Sequence, residues 1–101
     1  MSRKIKLSYT TRKKLAELLS YLEKEWSNEV KNDFINKLDK SLNQISNFPD
    51  SFPKSSLAKG LHKCVITKQT ILFYKYTKDE VYVVTIFDSR RDPNTLKNEL
   101  K

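Results

Sequence analysis

Residues 61–88 read LHKCVITKQTILFYKYTKDEVYVVTIFD, and this stretch decides the fold. Runs rich in β-branched and aromatic residues occupy 61–67, 70–76 and 81–88, separated by the short polar segments KQ and TKDE. Strand-forming runs at that spacing predict a three-stranded antiparallel meander. The last run is apolar on both faces for most of its length, as expected of a central strand covered on both sides.

Upstream of the lone Gly60 the period changes. Leu15, Leu18, Leu19, Leu22 and Trp26 recur at steps of three and four, which predicts an amphipathic helix with Thr10 or Thr11 as its N-cap. Ser27 is the candidate cap of a second helix, with Glu29 placed to complement its dipole. Val30, Phe34, Leu38, Leu42 and Ile45 carry that period to Phe48, where Pro49 and Pro53 end it. The two helices meet at 26–27 and make an antiparallel hairpin with one shared apolar seam. Ahead of them RKIKLSY (3–9) alternates, so Ile5, Leu7 and Tyr9 share one face of a short strand. Beyond Pro93, NTLKNEL offers a short terminal helix. The expected fold class is α+β: strand, helical hairpin, then meander, with the helices on one sheet face and the other face left for function.

Length and composition set outer bounds. A chain of 101 residues, 38% apolar with 11 aromatics, suits one domain over 1–101 with an adequate core. A single cysteine, Cys64, excludes an internal disulfide and suits a reducing cytoplasm. The basic N-terminus lacks the apolar stretch of a secretory signal, and no apolar run is long enough to span a membrane. The net charge of +8 is unevenly spread. Residues 1–14 hold six basic groups and no acid, and 54–78 hold six lysines and no acid. The segment 15–53 carries a net −3. Brought together, the two basic stretches form a surface for a polyanion; left apart, they are solubilising charge.

Few kinds of chemistry remain. One glycine cannot build a phosphate-cradling glycine-rich loop. His62 and Cys64 have no further soft ligands, so neither a metal nor another cofactor is expected. The one histidine stands beside no activated nucleophile, and no acid lies in an apolar run that would raise its pKa. Cationic contact with phosphates remains. Lys63 and Lys68 belong to the first meander strand or its end, Lys75 to the second, and Arg90 and Arg91 follow the third. The planar fork of arginine suits bidentate phosphate contact. Arg90 and Arg91 either hold phosphate or pair with Asp88 or Asp92, and the two roles are compatible. Tyr74, Tyr76 and Tyr82 are either stacking surfaces for bases or cross-strand packing.

A strand, a helical hairpin ending in NFPDSFP, and a meander closing in FDSRRDPNTL together resemble the RelE/ParE superfamily of bacterial toxin–antitoxin toxins, over nearly the whole chain. The resemblance implies a growth-inhibiting type II toxin of the kind called plasmid stabilisation proteins, silenced by a cognate antitoxin. The antitoxin is expected on exposed apolar and basic surface, at the hairpin and sheet edge. ParE-like members poison DNA gyrase without catalysis of their own. RelE-like members cut mRNA on the ribosome, using basic residues on the open sheet face and a histidine or tyrosine near the C-terminus.

This chain departs from the ribonuclease pattern twice. Thr70 and Ile71 stand where an arginine is expected, and the tail DPNTLKNELK has no histidine or tyrosine. The departures favour the ParE-like reading. His62, Lys63, Lys68, Arg90 and Arg91 remain the candidates if the chain is a ribonuclease. Lys63, Lys68, Lys75, Arg90 and Arg91 are the expected target contacts in either case. A non-toxic nucleic-acid-binding module is the third alternative, which charge alone permits.

Overall fold

The computed structural model describes residues 2–56 and 60–90; Arg91 and the expected terminal helix lie outside the described residues. In chain order the elements are β1 (Lys4–Leu7), α1 (Tyr9–Glu25), α2 (Asn28–Asn47), a 3-10 turn (Pro49–Ser51), β2 (His62–Thr67), β3 (Thr70–Tyr76) and β4 (Glu80–Asp88). The meander is present, and β4 is indeed central. The strands lie in the order β1-β4-β3-β2, with β1 parallel to β4 and the other neighbours antiparallel. Parallel pairing needs a long crossover, which the hairpin and the first two meander strands supply.

Alternation sorts the side chains of the sheet. Ile5 and Leu7 pack with Cys64, Ile66, Leu72 and Tyr74 against Leu18, Leu22, Phe34, Leu38 and Ile45 of the hairpin. In β4, Val81 and Val83 face the helices, and so does Ile86. That change of parity comes from a bulge: Phe73 pairs with Thr85 and Tyr74 with Val83, leaving Val84 as the extra residue. The β1–α1 junction takes up the local carbonyls. Ser8 donates from its backbone N to Val83 O (3.0 Å) and from Oγ to Val84 O (2.8 Å), and Thr11 Oγ1 donates to Val83 O (3.1 Å).

The same serine corrects the expected helix start. Its Oγ accepts from Thr11 N at 2.9 Å, so Ser8 is the N-cap rather than Thr10 or Thr11. Tyr9 therefore belongs to α1, not to the strand face, and is 73% exposed. Ser27 caps α2 as expected, accepting from Val30 N at 3.1 Å. Trp26 and Phe48 leave the apolar stripes they were assigned to, because each is a C-cap with non-helical backbone; both are exposed. Gly60 has φ +85°, a left-handed conformation that glycine adopts without penalty.

Candidate functional site

Because Ile5 and Leu7 turn toward the helices, Lys4 and Lys6 project from the opposite, far face of the sheet. Register adds the rest of that face. Lys6 is opposite Tyr82, which is opposite Lys75, and Lys63 is opposite Phe73.

The far face has two halves. One is apolar: Ile71, Phe73 and Phe87 are buried there with Leu61 against them, and the Phe73 and Phe87 rings meet edge-on at 6.1 Å. Lys14 reaches over from α1, its Nζ 3.6 Å above the Phe87 ring centroid and 3.4 Å from Thr85 Oγ1. A cation over an aromatic face is attracted by the ring quadrupole. The other half is cationic and open. A cavity of about 360 Å³ lies there, lined by Lys6, Lys75, Tyr82 and the β1–α1 and bulge residues Leu7, Ser8, Val83 and Val84. Glu80 fixes its rim, with Lys6 Nζ 2.7 Å from Glu80 Oε2 and the Tyr82 hydroxyl donating to Glu80 Oε1. The hydrogen bond to Glu80 raises the Lys6 pKa, and the Lys6 and Tyr82 hydrogen bonds lower that of Glu80. The same bond to Glu80, then burial, raises that of Tyr82.

The structure divides the residues singled out from sequence. Lys63 and Lys75 share the far face, and Lys68 is exposed in the β2–β3 turn. His62 is on the other side of the sheet. Its ring stacks on Tyr74 at 5.3 Å, lies 5.3 Å from the tilted ring of Tyr76, and places Nδ1 2.8 Å from Phe52 O. A carbonyl only accepts, so Nδ1 carries the proton and donates to it. Tyr74 is wholly buried with its hydroxyl donating to Pro49 O at 2.5 Å, and burial pushes its pKa up. It is core, not a stacking platform for bases, and Tyr76 packs beside it at 6.5 Å. Cys64 is likewise a core residue whose thiol pKa burial raises.

Arg90 takes the carboxylate option. Its Nε and Nη2 donate to the two oxygens of Asp88 at 3.0 and 2.8 Å, and its backbone N donates to Oδ1 at 2.9 Å. Asp88 is 3% exposed and also accepts from the Thr70 hydroxyl. Burial by itself would raise the Asp88 pKa, but the Arg90 and Thr70 hydrogen bonds outweigh it, so the carboxyl sits below its ordinary value. The Arg90 guanidinium lies 5.7 Å over the Trp26 ring at the hairpin turn. Its fork is occupied, and on the helix side of the sheet. Sequence reasoning missed Lys4, Lys6 and Lys14 as members of the cationic face. The alternation of RKIKLSY was the signal for the first two. Among the described residues, no group of three or more His, Cys, Asp or Glu could hold a metal, and no helix is long and apolar enough to cross a membrane.

Residues 5–93 match the family described as the ParE toxin of type II toxin–antitoxin system, parDE. Among curated protein sequences none is similar enough to count as a relative. Solved structures do share the fold. The chromosomal ParDE toxin–antitoxin system from P. aeruginosa has a chain that superposes with TM-score 0.72 at 8% identity, over 86% of this chain and 96% of that one. YafQ from E. coli gives 0.57 at 20% identity over 88% and 96%. The toxin–antitoxin complex RelBE2 from Mycobacterium tuberculosis gives 0.59 at 11% over 87% and 99%. At such identities the likeness speaks for the fold alone.

Proposed function

The chain belongs to the ParE toxin family of type II toxin–antitoxin systems, and from that premise we propose that it acts in the cytoplasm as a single toxin domain that arrests growth by poisoning DNA gyrase. A cognate antitoxin keeps it silent, as the naming of its structural neighbours as toxin–antitoxin complexes supports.

One observation carries the choice of gyrase over message cleavage. The chain's single histidine lies behind the sheet, stacked on Tyr74 and bonded to Phe52 O, while the lysines lie in front. Cleaving RNA requires a group that moves protons next to groups that hold the phosphate. Lysines alone bind phosphate well but are poor proton carriers near neutral pH, since their ordinary pKa is about 10.4. Among the described residues the far face offers neither an imidazole nor a free guanidinium. It is suited to holding, not to cutting.

A tightly regulated pulse of expression tests this reading. Growth arrest with gyrase-dependent DNA breaks and intact translated messages is the expected result. New 5′ ends confined to translated frames would overturn it in favour of the ribosome-dependent endoribonuclease.

A further inference from the structure

We infer that the far face of the sheet is a docking surface for the phosphodiester backbone of duplex DNA, gripped by Lys4, Lys6, Lys14, Lys63 and Lys75.

The charge is segregated by the fold. The five lysines come from four separate elements: β1, α1, β2 and β3. Alternation and register place Lys4, Lys6, Lys63 and Lys75 on one side, and Lys14 reaches that side over the Phe87 ring. Among the described strand residues, Glu80 is the one carboxylate on that side, and it is already tied to Lys6 and Tyr82. Six of the twelve acids of the chain lie along the hairpin, where Glu23 pairs with Lys31 and Asp33 with Lys37. Among the described residues, Lys63 and Lys75 have no carboxylate partner. From β1 to β2 the sheet spans three strand spacings, about 14 Å, comparable to the width of the major groove of duplex DNA.

The chemistry favours a duplex over unpaired bases or protein. Recognition of single strands needs exposed aromatic platforms. On this face Phe73 and Phe87 are buried and the Tyr82 hydroxyl is held by Glu80. What is presented is an array of lysine point charges, which reads backbone and not sequence. This inference deepens the gyrase reading, since gyrase holds its own DNA segment and a toxin gripping that segment would act at the cleavage complex. It does not depend on gyrase for its test.

The test is fluorescence anisotropy of the purified protein with a labelled random-sequence duplex, without gyrase, from about 50 to about 200 mM salt. The expected result is binding whose logarithm falls with log salt at a slope of about −4, as four or five phosphate contacts require. The double variant Lys63→Glu/Lys75→Glu is expected to bind at least about ten-fold more weakly at about 50 mM salt. The control Lys24→Glu/Lys40→Glu changes net charge equally, but on exposed positions of the hairpin, and should bind like the parent. Thermal melting of both variants checks that they fold, and Lys75→Glu alone serves if the double variant does not. Equal loss in both double variants would reduce the effect to net charge and overturn the proposal. So would the absence of duplex binding at low salt, the outcome expected if the face instead takes an acidic protein segment. Stronger competition by unlabelled single-stranded RNA than by duplex would overturn the choice of DNA. Gyrase poisoning by a variant that no longer binds duplex would sink the link between the two readings while leaving the gyrase reading intact.

Discussion

β4 carries a carboxylate at each end, and the two live in opposite worlds. Glu80 accepts from a tyrosine hydroxyl and pairs with a lysine; Asp88 accepts from a threonine hydroxyl and pairs with an arginine. They are eight residues apart, an even spacing that in a regular strand puts both on one face. The bulge at Val84 breaks that parity, so Glu80 faces the cationic side and Asp88 the helices. With Lys6 half-exposed and Glu80 about a quarter exposed, theirs is a surface ion pair whose contribution salt and water reduce. Buried with a bidentate partner, Asp88 is a carboxylate whose loss the fold should feel. One strand thus supplies both a site and a clasp.

Inserting one alanine between Thr85 and Ile86 should break the contrast most severely. The added residue would turn Ile86 and Asp88 outward and Phe87 inward, and circular dichroism melting is expected to show loss of the cooperative transition. Asp88→Ala should come next, costing about 3–5 kcal/mol in denaturant unfolding because Arg90 is left without its partner. Thr70→Val removes one hydrogen bond to that carboxylate and is expected to cost about 1.5–3 kcal/mol. At the other end of the strand, Glu80→Gln should leave the melting temperature nearly unchanged while strengthening duplex binding, because it frees the charge of Lys6.

Acid sharpens the same comparison. The folded-state pKa of Asp88 lies below its ordinary value, so its stabilisation is fully present above the unfolded pKa of about 3.9 and is lost as pH falls through the lower folded value. The stability gap between the parent and Asp88→Asn should therefore stay constant above about pH 5 and close only below about pH 4. A gap that closes near neutral pH would show that Asp88 is not ionised in the folded state.

Much of this could be read along the chain. The meander, the hairpin seam from Leu18 and Leu22 to Phe34, Leu38 and Ile45, and the Ser27 cap follow from patterns that span a few residues. The exceptions share a cause. Trp26 and Phe48 fit the helical period, yet a C-cap turns each out of it, because periodicity does not say where the backbone stops being helical. Arg90 was equally suited by sequence to phosphate or to carboxylate. Burial of Asp88 decided, since an unpaired buried carboxylate would be costly.

Sequence by itself determined the order of elements, the apolar faces and the clustering of lysines, because side-chain alternation, helical period and capping act within a few residues. Tertiary structure alone decided the parallel pairing of β1 with β4, the bulge at Val84 and the gathering of lysines from four elements on one side. Those depend on partners far apart, as where Ser8 bonds Val84 O across 76 positions. No local pattern carries the register between strands, yet that register settles which charges meet and which are buried.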